Sequence, residues 1–126
     1  MATEPCPCGR GRPYEDCCGP VHADGAGIGT TAEQLMRARY CAYVRHDEGF
    51  LLRSWHPDTR PDGVRFDPDL TWIGLTILDT ERGAGLDNDG EVEFNARFTH
   101  GGEHLALHER STFTRIGGRW VYVEGH

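Results

Sequence analysis

The chain has 126 residues and a formal net charge of −7, and all 13 of its basic residues are arginine. That length holds one domain with a small appendage. The acidic balance argues against general nucleic-acid binding, which needs a basic face, and no apolar run reaches the length of a membrane span.

The chain opens Met-Ala-Thr-Glu with no apolar stretch behind it, so no signal peptide is expected. A reducing cytoplasm is the expected setting. Clustered cysteines there bind metal or do chemistry more often than they form disulfides.

Four cysteines fall in the first eighteen residues, as Cys6-Pro7-Cys8, eight intervening residues, then Cys17-Cys18. Two close pairs joined by a short loop can set four sulfurs around one point, and zinc prefers a tetrahedron of such donors. Pro7 holds the first pair extended, while Gly9 and Gly11 let the chain fold back. The spacing therefore predicts a zinc knuckle over residues 1–20, with Cys6, Cys8, Cys17 and Cys18 as ligands. Four thiolates leave no open position, so the metal is structural. The rival readings are a Cys6–Cys18 or Cys8–Cys17 disulfide and a redox role, with His22 as an alternative ligand to Cys18.

Residues 19–30 hold four glycines and one proline among mostly small residues, and 21–30 is assigned as a linker. A capped helix is expected next, because Thr30-x-x-Glu33 and Thr31-x-x-Gln34 both fit a capping box. Leu35, Met36, Tyr40, Tyr43 and Val44 then recur at helical spacing and predict a core-facing stripe. Cys41 lies near its margin and reads as a buried, inert thiol. Asp47 caps a second short helix that Pro57 ends. The Pro- and Asp-rich stretch from His56 to Asp69 reads as an irregular crossing loop.

Leu70 to Leu78 predicts a strand, with Gly74 as a bend or bulge. Asn88-Asp89-Gly90 predicts a turn. Val92, Phe94, Ala96 and Phe98 then alternate with polar residues, as a half-buried strand does. Gly101-Gly102 and Gly117-Gly118 each suit a two-residue hairpin. On that register Phe98 faces Leu105, Ala96 faces Leu107, Phe94 faces Glu109, Phe113 faces Tyr122 and Ser111 faces Glu124. Glu93 pairs with Arg110 on the outer face. Glu109 lands on the apolar face and needs a partner or a wet cavity. Arg37, Arg39 and His56 are the partners offered by the helical side. His100, His104 and His108 cannot share an ion, being roughly 13 Å apart at each four-residue step along a strand.

These elements predict an α+β fold. An N-terminal zinc knuckle precedes a cone-like curved antiparallel sheet packed on helices over residues 31–126, compatible with the nuclear transport factor 2-like (NTF2-like) class. Cys6-Pro7-Cys8-Gly9, Tyr14 and Cys17-Cys18-Gly19 resemble the SEC-C motif. That resemblance implies a zinc knuckle with ligands at Cys6, Cys8, Cys17 and Cys18. The usual Gly-Ser-Gly reads Gly9-Arg10-Gly11 here, and Glu15-Asp16 stands where lysines are usual. Arg37-Ala38-Arg39-Tyr40, Leu51 to Pro57, Trp72-Ile73-Gly74-Leu75, Val92 to Phe98, His108 to Ser111 and Gly118 to Val123 follow in order. Over nearly the whole chain they resemble the bacterial YchJ family, a SEC-C knuckle followed by an NTF2-like cone. The resemblance implies fold and zinc ligands, and no reaction.

Three functions follow as expectations. The first is an adaptor that meets a protein partner through the knuckle, with the cone free to form a homodimer. The second is a small-molecule pocket, binding or catalytic, with Glu109 as base, His56 as acid, and Tyr40, Tyr122 and Arg37 as further pocket candidates. Isomerases and dehydratases on such cones are the analogy. The third is redox sensing through the four thiols.

Overall fold

The computed structural model describes residues 5–24 and 31–125 of the chain. Its N-terminal loop is tied by Cys6 N–H to the Arg12 carbonyl at 2.8 Å and by Gly9 N–H to the Cys6 carbonyl at 3.1 Å. Gly9 and Gly11 take φ of 77° and 88° there, the left-handed conformation that a tight return requires. A 3₁₀ turn over Tyr14–Asp16 leads into α1, Cys18–Asp24. A helix thus stands where a linker was expected to begin. Pro20 is compatible with it because the first-turn N–H groups of a helix have no intrahelical partner. Gly19 is required on packing grounds, since a Cβ there would stand 2.8 Å from the Tyr14 carbonyl. The rest of the expected linker, and the Thr30 cap, lie outside the described residues.

Helix α2, Ala32–Arg45, starts at Thr31, whose side chain accepts from Gln34 N–H at 3.1 Å. Its entry is tied to the sheet by Ala32 N–H donating to the Gly83 carbonyl at 2.9 Å. Helix α3, Glu48–Arg53, is capped by Asp47, which accepts from Phe50 N–H at 3.1 Å. Both caps fall where the sequence puts them. No helix among the described residues is long and apolar enough to cross a membrane.

Four strands follow: β1 Leu70–Arg82, β2 Asp89–His100, β3 Glu103–Ile116 and β4 Arg119–Gly125. They form one antiparallel meander in the order β1-β2-β3-β4. Gly101-Gly102 and Gly117-Gly118 make two-residue loops, all four glycines at positive φ, as type I′ turns demand. The β2–β3 register is the expected one, with Phe98 opposite Leu105, Ala96 opposite Leu107 and Phe94 opposite Glu109. The bend at Gly74 is a register shift between Trp72 and Gly74. The turn expected at Asn88-Asp89-Gly90 lies earlier, since Gly90 already pairs with Arg82.

One register expectation is corrected. Phe113 faces Tyr122, but a bulge between Thr112 and Phe113 puts Thr112 opposite Glu124 and Ser111 opposite Gly125. A bulge adds one residue to one strand and so exchanges its faces beyond that point. Glu124 is thereby moved off the concave face, and Gly125 replaces it.

Helix α2 packs on β1, β2 and β4 across the concave face, with α1 on its other side. Leu35, Phe50, Leu51, Val92, Phe113 and Trp120 are fully buried between these layers. Burying side chains of that size contributes about 1.5–3 kcal/mol each.

Candidate metal centre and cone pocket

Cys6, Cys8, Cys18 and Cys41 are all buried, and their sulfurs lie within 4.8 Å of one another. Cys41 comes from the third turn of α2, and its Sγ stands 3.3 Å from that of Cys6. Cys17 Sγ lies 3.6 Å from Cys8 Sγ and 4.0 Å from Cys18 Sγ. A tetrahedral thiolate site with metal–sulfur bonds of about 2.3 Å has edges of about 3.8 Å. The sulfur spacing fits such a site, with five thiols available for four positions. Cys6, Cys8 and Cys18 belong to both the expected set and the observed group. Cys17 and Cys41 are the two candidates for the fourth place. None of the five is disulfide-bonded.

The electrostatics of the cluster are those of a site built for a cation. Thiol donation from Cys18 and then Cys41 holds Cys8 far below the usual thiol range. Hydrogen bonding with Cys41 and Cys8, then burial, pushes Cys18 far above it. The thiols thus share their protons as one cluster. A bound divalent cation would release the remaining protons.

A polar shell surrounds the sulfurs. Arg37 donates to the Cys8 carbonyl at 3.1 Å and pairs with Glu33 at 3.0 Å. Gln34 Nε2 reaches Cys18 Sγ at 3.7 Å and its Oε1 accepts from Arg10. His22 is not a ligand. Its Nε2 lies 2.8 Å from the Ala38 carbonyl and its Nδ1 2.6 Å from the Tyr14 hydroxyl. A carbonyl only accepts, so Nε2 carries the proton and Tyr14 donates to Nδ1.

The opposite face of α2 looks into the cone. A cavity of about 230 Å³ lies there, lined by Arg39, Tyr40, Trp55, Trp72, Glu109 and Tyr122 among others. Arg39 is 3% exposed and lies against both the Trp55 and Tyr122 rings, its guanidinium carbon 4.8 and 4.5 Å from their centres. One guanidinium nitrogen donates to the Leu51 carbonyl at 2.9 Å and to Ser54 Oγ at 2.7 Å. Burial brings its pKa down to about 10. Glu109 accepts from Ser111 Oγ at 2.8 Å and lies over Gly125, where any Cβ would overlap its carboxylate. Burial and then Glu109 push the Tyr122 phenol up to about 12, and burial does the same to Tyr40. Both phenols therefore stay protonated and can donate.

Glu109, Tyr40 and Tyr122 meet in the cavity as the sequence suggests. Arg37 does not, because it serves the knuckle. His56 is also outside the lining: its Nδ1 accepts from Asp58 N–H at 3.0 Å, and its own N–H donates to the Tyr122 carbonyl at 2.8 Å. His100 pairs instead with Asp67 at 2.9 Å and His108 with Glu93 at 2.6 Å.

Residues 31–125 match the family described as YchJ, middle NTF2-like domain, and residues 3–20 match the SEC-C motif. The chain belongs to the YchJ family. A UPF0225 protein of Streptomyces coelicolor is 50% identical over 99% of this chain and 97% of its own. A second, from Streptomyces avermitilis, is 54% identical over 95% of this chain and 82% of its own. Among solved structures, a SEC-C motif containing protein from Rhodopseudomonas palustris is 34% identical, with a TM-score of 0.83 over 98% of both chains. Another, from Psychrobacter arcticus, is 27% identical with a TM-score of 0.76, over 98% of this chain and 81% of the other.

Within this YchJ frame, two residues serve sites that the sequence reading did not give them: Cys41 reads there as an inert core thiol, and Arg39 only as a partner for Glu109. Cys41 stands four residues after Arg37, one turn along the same face, so the two approach the knuckle together. Arg39 stands two residues from each, a turn of about 200° that carries it to the pocket side. The cue was the helical position of the arginines relative to Tyr40 and Tyr43.

Proposed function

We propose that this protein is a zinc-stabilised small-molecule-binding protein. Zinc on the clustered thiols fixes the knuckle to α2, and the other face of the same helix forms the wall of a ligand pocket in the cone. The observation that carries this reading is the cavity of about 230 Å³, where among the described residues neither Arg39 nor Glu109 makes an ion pair. A stability-only cone would neutralise both charges against each other or omit them. When bound, zinc supplies a rigid cross-link. The closed thiol set makes it a structural ion, and the reduced thiols suit a cytoplasmic setting. Chemistry, where it follows binding, would use Glu109 as the base and the protonated Tyr122 as the donor. The test is native mass spectrometry for one zinc per chain, followed by ligand-observed NMR with a fragment set on the zinc-loaded protein. Zinc without any fragment bound at the cone would overturn the pocket.

An adaptor role draws on a separate feature. Gly9, Arg10, Gly11 and Arg12 are all exposed, in the loop between the two cysteine pairs. A protein partner captured by the intact chain and lost on Arg10→Glu with Arg12→Glu would support that role. Capture unaffected by both changes would end it.

A further inference from the structure

The polar groups in the cone pocket are unbalanced. A guanidinium offers five N–H donors. Two of those on Arg39 meet Leu51 and Ser54. The remaining N–H groups have no acceptor among the described residues. They also escape the buried-unpaired state, which falls only on Trp55 Nε1. The 3% of Arg39 that remains exposed must therefore include these groups, and it opens on the cavity that Arg39 lines. Trp55 lines the same cavity, but its indole N–H is buried and closed off from it. No carboxylate among the described residues comes within 4.0 Å of the Arg39 guanidinium.

Leaving a buried donor unmet is unfavourable, and more so when it is charged. Unmet donors on a nearly buried cation call for an acceptor-rich, negatively charged head group. The remaining walls are flat and apolar, from Tyr40, Trp72, Phe94 and Leu107. A cavity of 150 Å³ holds a benzene, so about 230 Å³ holds one ring plus a head group. A phosphate dianion suits the site poorly, with Glu109 lining the same cavity and a single guanidinium to neutralise it. A carboxylate needs only one positive charge and matches the guanidinium edge.

Resting on the pocket reading above, we propose that the cone pocket takes a small aromatic carboxylate. Its head group meets the free edge of Arg39, and its ring lies among Tyr40, Trp72 and Phe94. Glu109 sets a limit on this ligand. It repels a second negative charge and accepts from any hydroxyl or amino substituent the ring carries.

The experiment uses the full zinc-loaded chain and three probes of one shape: benzoate, benzyl alcohol and benzylamine. Binding is read by ligand-observed NMR titration. Benzoate should bind at least about tenfold tighter than benzyl alcohol, the effect of one charge-assisted hydrogen bond. Arg39→Met should erase that preference. Because Arg39 also holds Leu51 and Ser54, Glu109→Gln serves as the companion variant. It leaves the Arg39 bonds in place, removes the repulsion, and should tighten benzoate severalfold without changing benzyl alcohol. Benzyl alcohol or benzylamine binding as well as benzoate would overturn the ligand class while leaving the pocket standing. Benzoate binding indifferent to Glu109→Gln would place the acid elsewhere and also overturn it. None of the three binding would remove the pocket reading as well.

Discussion

The sulfur of Cys41 lies 3.3 Å from that of Cys6, across 35 residues of chain. The first belongs to the cone's central helix and the second to the knuckle, so one ion held there would join the two. Cys41→Ser is therefore expected to lower metal retention against a competing chelator and to lower the melting temperature. Cys17→Ser should keep one metal per chain. Native mass spectrometry on both variants decides between them. The reverse pattern would assign the fourth position to Cys17.

Metal removal should act locally first. Binding energy at a structural thiolate site is folding energy for the segment that carries it. Stripping the metal is expected to raise amide exchange across residues 5–24 while the β2–β3 hairpin stays protected. Uniform loss of protection across the sheet would contradict this.

His22 adds a pH dependence. Burial, as the largest influence, holds its folded pKa below the ordinary 6.5. The unfolded chain then takes up more protons as pH falls below about 6.5, so stability present above that value is lost toward the lower folded pKa. Melts between pH 8 and 5 should show a steeper acid-side decline for the native chain than for His22→Gln. Parallel curves would exclude His22 as the source.

Two glycines should respond differently to alanine. A Cβ at Gly90 would stand 2.5 Å from the Gly83 Cα, which is backbone and cannot step aside. Gly125 faces only the Glu109 carboxylate, the end of a movable side chain. Gly90→Ala is expected to cost about 1–3 kcal/mol in denaturant unfolding, the usual range for overpacking. Gly125→Ala should cost less while altering the pocket through Glu109.

Arg110 binds four carboxylates on the outer face: Asp79, Glu81, Glu91 and Glu93. Without it they face each other uncompensated. Arg110→Ala should lower the melting temperature in dilute buffer, and added salt should restore most of the loss. A salt-independent loss would point to packing instead.

The hairpins and helix caps could be read from sequence because each is set by neighbours. Gly-Gly fixes a two-residue loop, and Thr31 and Asp47 sit three residues before the N–H groups they accept from. The bulge at Thr112 carries no such signal, so Gly125 could not be placed opposite Ser111. Helix α1 was hidden by Gly19-Pro20, which reads as a breaker although proline is tolerated in a first helical turn. Cys41 was assigned to the core by periodicity, and periodicity reports burial without saying what does the burying. The same limit put Arg37 rather than Arg39 in the pocket.

From Leu35 to Ala42, every residue of α2 except Arg37 is buried. A helix lying on a sheet ordinarily keeps one face for water. This one has none to spare, because the knuckle takes the side the cone does not. The border between the SEC-C segment and the NTF2-like segment is therefore a border in sequence and not in folding. Cut there, the cone would present Ala38 and Cys41 to solvent, and the knuckle would lose the surface it closes on. The two share α2 as a common wall, and neither is a portable module.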